Sequence, residues 1–273
     1  MMPSTAAILD RLLAAPFVRH AEWHDTIAST NDRGNELARS AEIVTPLLIL
    51  AGRQTAGRGR GGNQWWSDEG ALTFSIVFDP ERDVPGCGGH PLSQEQWPKV
   101  ALAAGVALCD VLQARLPQVP CRLKWPNDVL LAGKKVAGIL VEVPPPGNSV
   151  PRRLVLGMGV NVNNSLSAAP AEIQAIGAAL CDVAGERCDG ADLLIDWLGD
   201  FAERLRALSA GDDDLVERWQ LLCALRGKTI ELQSGNRIVR GSCRGIDAAG
   251  ALLVDTDSGL ERLFAGVLVR VAE

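Results

Sequence analysis

The 273-residue sequence predicts an α/β-type body followed by a β-rich tail, and three observations carry that reading. Strand-length apolar runs alternate with stretches of helical periodicity up to Leu225. After Arg226-Gly227 the pattern changes to short β-like runs with turn signals at Ser234-Gly235-Asn236, Asp247–Gly250 and Asp257-Ser258-Gly259, as expected of a small barrel. Apolar residues make up 47% and charged residues 22%, ordinary globular usage that excludes a disordered or collagen-like chain. The expected division is 1–225 for the body and 226–273 for the tail.

Taken in order, Thr5–Ala15 has the apolar spacing of a short amphipathic helix, too small for a winged helix-turn-helix head. Ser29-Thr30-Asn31 is a run of N-cap residues before Glu36-Leu37-Ala38, which predicts a strand-to-helix corner. Leu47–Ala51 reads as a buried strand, Arg53–Asn63 as a loop, and Leu72–Phe78 as the next strand. Asp83–Gln94, rich in Gly and Pro, predicts a surface insertion, and Trp97–Leu116 a helix. Arg122–Lys124 and Val129–Leu131 flank a short turn, and Ala132-Gly133-Lys134 turns into the apolar run Val136–Val143. Pro144–Gly147 is a loop. Arg153–Val162 is a strand whose Gly157 and Gly159 mark places where a side chain would obstruct a close neighbour. Ala168–Leu225 is helical in pattern.

The 27 Lys+Arg against 33 Asp+Glu give a net charge of −6, so no global basic field exists to hold nucleic acid or an anionic membrane, and any anion must be bound locally. The seven cysteines are scattered and include no C-x-x-C pair, which argues against a zinc site or a disulfide framework and fits buried thiols in a reducing compartment. Met1–Phe17 lacks the basic start and long apolar run of a signal peptide, and no apolar stretch reaches the ~18 residues of a membrane span. A cytoplasmic location is expected.

Three segments carry chemistry. Gly57-Arg58-Gly59-Arg60-Gly61-Gly62 lets backbone approach a ligand while two guanidiniums fork onto phosphate or carboxylate oxygens. It lacks the Gly-Lys-Ser/Thr of a phosphate-binding Walker loop, and a solvated surface loop or an RNA tether are the plainer alternatives. Lys124-Trp125-Pro126-Asn127-Asp128 places a cation, an aromatic plane and a carboxylate in one turn. Its structural reading is an Asx turn, and its functional reading makes Asp128 a magnesium-side carboxylate. Lys134-Lys135 opens an apolar strand, either as a solvated hairpin end or as a cation lying over a phosphate. Asn161 and Asn163 end a strand, capping it or reading a purine edge.

In this order these segments closely resemble the biotin protein ligases. Ser29-Thr30-Asn31, Gln54, the Gly57–Gly62 loop, Lys124–Asp128, Lys135-Val136-Ala137-Gly138-Ile139-Leu140-Val141-Glu142 and Gly157–Asn161 match that family's pattern, as do Arg244–Asp247 and Gly250–Leu253 in the tail. The similarity runs from about Trp23 to the C-terminus. The Ser67-Asp68-Glu69-Gly70 turn departs from it, since the family usually has proline after the serine. The resemblance implies an α+β fold: a mixed sheet backed by helices, of the class II synthetase and biotin synthetase type, with an SH3-like barrel from about Gly227. It implies activation of biotin by ATP to biotinyl-adenylate with release of pyrophosphate, then transfer to a lysine of a biotin carboxyl carrier protein. Lys135, Arg60 and Asp128 are the implied catalytic residues, Asp128 either holding Mg²⁺ or orienting Lys135. Biotin is expected against Ser29, Thr30, Asn31, Gln54, Arg58, Gly59, Arg60, Lys135, Gly138 and Leu140, with Trp65 or Trp66 as cover. ATP is expected against Arg58, Arg60, Lys124, Trp125, Asn127, Asp128, Lys135 and Asn161, with Asn161 reading adenine. No DNA-reading head, no nucleic-acid or membrane partner, and a monomer or homodimer are expected.

Beside an enzyme-derived, catalytically dead regulator, which the intact set of matched residues weakens, two rivals remain at this level. A lipoate ligase of the same fold would favour a longer apolar slot and has no need of a polar pocket, so Ser29 and Gln54 speak against it. The other is a non-enzymatic binding module in which the arginine loop is a tether.

Overall fold

The computed structural model describes residues 5–84, 91–147, 150–212 and 214–272. The body contains α1 (Thr5–Leu13), β1 (His20–Ile27), α2 (Thr30–Leu37), β2 (Leu47–Gln54), β3 (Leu72–Phe78), α3 (Lys99–Arg115), β4 (Cys121–Lys124), β5 (Asp128–Leu131), β6 (Lys134–Glu142) and β7 (Leu154–Val160). Then come α4 (Ala171–Ile176), α5 (Leu180–Ala184), α6 (Gly190–Ser209) and α7 (Asp214–Leu222). Seven strands form one sheet in the order β1-β2-β3-β7-β6-β5-β4. β1 runs parallel to β2 and the other neighbours are antiparallel, which makes the sheet mixed.

The alternating faces of β2 explain why it reads as an uninterrupted apolar run. Leu48 and Leu50 join Phe74, Ile76 and the helices α3 and α6 in the main core, while Leu47 and Ile49 turn to the other face with Val77 and Val155. There α2 covers the sheet so closely that a methyl on Gly34 would lie 2.8 Å from Val155 Cγ1. On the main face Trp197 packs edge-on to Phe74, with centroids 5.1 Å apart, stacks on Phe201 at 4.8 Å, and donates its indole N–H to Ala104 O at 3.1 Å. α3 is buried on nearly every side, hence its Ala-rich, weakly amphipathic sequence.

β8 (Thr229–Ser234), β9 (Arg237–Ile246), β10 (Leu252–Thr256), β11 (Gly259–Leu263) and β12 (Val267–Ala272) form the tail. They make an antiparallel sheet in the order β11-β10-β9-β8-β12. Among the described residues no β11–β12 pairing closes the ladder, so β11 and β12 are the edges of this sheet. Its inner residues, among them Ile230, Leu232, Val239, Cys243 and Leu252, belong to the same apolar cluster as the body core. Gln220 of α7 fastens the seam through Nε2 to Ile246 O at 2.9 Å.

One expectation needs correction. Asp83–Gln94 is not merely a surface insertion, because Val84 and Leu92 are 3% and 1% exposed and belong to the main core. Leu92 O also accepts the indole N–H of Trp97 at 3.2 Å. Residues 85–90 of that segment lie outside the described residues. No helix among the described residues is long and apolar enough to cross a membrane.

Candidate active site

A cavity of 590 Å³ opens where β6 and β7, the start of α2, the β2–β3 loop and the tail converge. Its polar end is built at the N-terminus of α2. Ser29 caps that helix, its Oγ accepting from Asp32 N at 3.3 Å, and the cap holds Thr30 and Asn31 at 3% and 5% exposure. Gln54, at the end of β2, accepts Thr30 N–H through Oε1 at 2.7 Å, with Thr30 Oγ1 at 3.2 Å. Its amide nitrogen is thereby turned the other way. Behind them Ser75, missed in the sequence and wholly buried, lies 2.8 Å from Thr30 Oγ1 and 2.7 Å from Asn31 Oδ1. Nothing local marks Ser75, a polar residue within an apolar strand. Asn31 donates to Glu142 Oε2 at 2.9 Å and faces Leu140 O at 3.4 Å, so its amide is committed to the framework.

The middle of the cavity is apolar and flat, lined by Phe74, Ile139, Leu140, Met158 and the glycines of β6 and β7. A methyl on Gly157 would lie 1.8 Å from Asn31 Oδ1, and one on Gly159 2.3 Å from Trp65 Cε2. These strand glycines let Asn31 and the Trp65 ring rest directly on the sheet. Trp65, rather than Trp66, lines the cavity; Trp66 packs with Leu166, Ala169 and Ala179. Trp65 Nε1 is buried and has no hydrogen-bond partner among the described residues.

The other end is cationic. Arg58, Arg60, Lys124 and Lys135 line the cavity, with Asp128 its one carboxylate among the described residues. The Gly57–Trp65 segment is a small hairpin, closed by Gly59 N–H to Asn63 O at 2.7 Å and Trp65 N–H to Gly57 O at 2.9 Å. Gly61 and Gly62 sit at its tip with φ of 69° and 83°, which favours glycine. The two arginines, equivalent in the sequence, separate here. Arg58 forks onto Asp32 at 2.6 Å and Glu142 at 2.7 Å, and the Glu142 hydrogen bond, outweighing burial, raises its pKa. Arg60 pairs with no carboxylate among the described residues. It donates to Gly266 O at 3.3 Å, its guanidinium lies 5.9 Å from the Trp125 ring centroid, and burial lowers its pKa. Lys135 Nζ is 2.6 Å from Asp128 Oδ1 and 5.7 Å from the Trp65 ring centroid.

Trp125 and Asn127 also line the cavity, and Asn127 Nδ2 donates to Ile139 O at 2.7 Å, tying that turn to β6. Gln233, Gly235 and Ala265–Leu268 close the wall from the tail. No signal in the sequence marks them, because they lie in turns and at strand ends more than a hundred residues from the loop they face.

Two of the expected site residues are already engaged within the protein. Asn161 is not among the described residues lining the cavity: Nδ2 donates to Ala178 O at 3.1 Å and Oδ1 accepts from Asn164 Nδ2 at 3.0 Å, which uses one of its two amide hydrogens and one of its two oxygen lone pairs. Asp128, expected either to hold Mg²⁺ beside phosphate or to orient Lys135, is ion-paired on both oxygens. Its two oxygens face Lys135 at 2.6 Å and Lys124 at 3.7 Å, and no cluster of three His, Cys, Asp or Glu with metal-ligand geometry occurs among the described residues.

A hydroxyl and amide pocket joined through an apolar floor to a group of cations is an arrangement for a small organic acid beside a polyphosphate. Comparison with known proteins agrees with that class. Residues 23–161 match the biotin/lipoate A/B protein ligase family and residues 226–268 the biotin protein ligase C terminal domain, so the chain belongs to this family. It is 32% identical over 236 residues to a biotin–[acetyl-CoA-carboxylase] ligase of Paracoccus denitrificans, covering 85% of this chain and 92% of that protein. It is 30% identical over 249 residues to the bifunctional ligase/repressor BirA of Bacillus subtilis, covering 90% of this chain and 73% of that one. The biotin protein ligase of Aquifex aeolicus, solved in complex with biotin and ATP, superposes with a TM-score of 0.77 at 26% identity, covering 93% of this chain and all of that one.

Proposed function

We propose that this chain is a biotin protein ligase that activates biotin with ATP and passes it to a lysine of a biotin carboxyl carrier protein. The observation that carries the reading is one cavity with a hydroxyl and amide end at Ser29, Thr30 and Gln54 and a cationic end at Arg60 and Lys135. The ureido ring of biotin carries both donors and an acceptor, which side chains without charge satisfy. The valeryl chain lies over Gly138 and Leu140 beneath Trp65. Its carboxylate is then delivered to Lys135.

In the first half-reaction a carboxylate oxygen attacks the α-phosphorus of ATP and pyrophosphate leaves. Lys135 and Arg60 stabilise the charge that gathers on the phosphoryl oxygens. Asp128 keeps the Lys135 ammonium aimed across β6, and Arg60, which pairs with no carboxylate among the described residues, gains most from an arriving anion. Lys124, Trp125 and Asn127 form the nucleotide side of the cavity. Magnesium enters as part of the ATP substrate. In the second half-reaction the carrier's lysine amine attacks the acyl carbon, loses a proton and expels AMP. The Gly57–Gly62 loop covers the mixed anhydride and excludes water in the interval. We assign 1–225 to this chemistry and 226–273 to a tail that walls the phosphate side.

The test is ATP–pyrophosphate exchange with biotin, with lipoate and with neither. Exchange with biotin alone is expected. Exchange with lipoate alone favours the sister chemistry, and no exchange with any acid refutes the reading.

A further inference from the structure

Glu142 lies at the opposite end of β6 from Lys135, and nothing in the proposed chemistry uses it. It is nevertheless the point where two parts of the site meet. Its side chain is 24% exposed, and it receives Arg58 Nη2 on Oε1 at 2.7 Å, and Asn31 Nδ2 and Asn35 Nδ2 on Oε2, both at 2.9 Å. Burial raises its pKa, but those hydrogen bonds and the Arg58 charge outweigh burial and leave it lowered, so it is held as the anion.

From Glu142 one route runs through Asn31 to Ser75, Thr30 and Gln54, the polar end of the cavity. The other runs through Arg58 into the arm of the Gly57–Trp65 hairpin. Asp32, in the first turn of α2, takes the second fork of the same guanidinium at 2.6 Å. The hairpin arm is therefore stapled to α2 and β6, while Arg60 near its tip pairs with no carboxylate among the described residues.

We infer that Glu142 is a positioning residue for biotin activation: by holding Arg58 it fixes the arginine hairpin relative to the polar pocket, so that pocket and cover keep one geometry. This rests on the function proposed above. Removing the charge while keeping the shape, as in Glu142→Gln, sets an amide against donors from Arg58, Asn31 or Asn35 whichever way it is turned.

The test is a cycle of Glu142→Gln, Arg58→Gln and the double variant, read in three ways: the biotin KM and kcat of pyrophosphate exchange, the release rate of preformed adenylate, and cleavage by proteinase K, which needs no arginine, within residues 57–65 of the ligand-free protein. Glu142→Gln should raise the biotin KM and speed adenylate release by about fivefold or more. The double variant should be no worse than Arg58→Gln, because the two act through one contact. Cleavage in the hairpin should accelerate in both single variants to a similar extent. Effects that multiply in the double variant, or a folded Glu142→Gln with cleavage and biotin KM at the wild-type values, overturn the inference. Where Glu142→Gln fails to fold, Asp32→Asn decides, since Asp32 is half exposed and touches the staple from outside. Faster cleavage and a raised KM support the staple, and wild-type values overturn it. A wild type that exchanges with no acid overturns the parent reading instead, and the cleavage rates still judge the staple.

Discussion

Gly159→Ala puts the wall of the cavity to a sharp test. A methyl there lies 2.3 Å from Trp65 Cε2, 2.4 Å from Nε1 and 2.8 Å from Cζ2, whereas non-bonded carbons rest about 3.5–4.0 Å apart. Strand β7 has no freedom to withdraw, because Gly159 is paired with Thr73 on one side and Gly138 on the other. The indole must therefore retreat by roughly 1.2–1.7 Å, taking with it the far arm of the arginine hairpin, which Trp65 N–H closes onto Gly57 O. Overpacking of this size costs about 1–3 kcal/mol. Trp65 is held by the hairpin rather than by the core, so the cost should fall mainly on ligand binding. It appears as a biotin KM raised roughly 5- to 150-fold, with the unfolding midpoint lowered by a few degrees at most. Pyrophosphate exchange against biotin concentration measures the first and a thermal melt the second. A variant with an unchanged melt and a biotin KM within twofold of wild type would show that Trp65 does not wall the bound acid, and the assignment of the apolar floor would fall with it.

Lys135→Ala should lose about 2–5 kcal/mol of transition-state stabilisation, roughly 30- to 5,000-fold in single-turnover adenylate formation, while leaving the melt near wild type. Arg60→Gly should still form adenylate but release it faster, giving biotin on lysines of bystander proteins in a blot. Retention equal to wild type would remove the lid role. Because Glu142 has a net lowered pKa, the stability it supplies is present above the ordinary carboxylate range and is lost as pH falls through the folded value. Glu142→Gln should then flatten the fall in denaturant stability below about pH 4.5, with wild type and variant converging at the acid end. Gly199→Ala, on α6 with nothing within 4 Å of the added methyl, should stabilise by about 0.5–1 kcal/mol, raising the midpoint by roughly 1–4 °C.

Elements whose identity depends on local pattern were legible before any coordinates. Leu72–Phe78 begins and ends as the apolar run does, and Ser29 caps α2 as its hydroxyl and the following Glu36-Leu37 imply. Gly157 and Gly159 read as places of close approach, and the methyl distances at both explain why. Features set by distant parts of the chain were not legible. Val84 and Leu92 sit in a Pro- and Gly-rich segment that reads as surface, yet tertiary packing buries both. Asn161 carries an amide in the expected motif, yet nothing local shows that its Nδ2 donates to Ala178 O and its Oδ1 accepts from Asn164 Nδ2. A side chain's chemistry is local, whereas its hydrogen-bond vacancy belongs to the fold.

The two arginines show that distinction at its most consequential. They stand two residues apart in one glycine-rich loop, and any sequence argument must treat them alike. In a hairpin arm, however, their directions differ, and the carboxylates that neutralise Arg58 come from 26 residues before and 84 residues after it. A chain with six more acidic than basic residues surrounds each guanidinium with potential partners. Keeping one free requires shielding it from them. Trp125 and the Gly266 carbonyl do this for Arg60, offering an aromatic face and a neutral acceptor where a carboxylate would compete with an incoming phosphate. Gly266 belongs to the tail, so the tail does more than complete the core. It supplies the neutral acceptor beside a guanidinium that pairs with no carboxylate among the described residues.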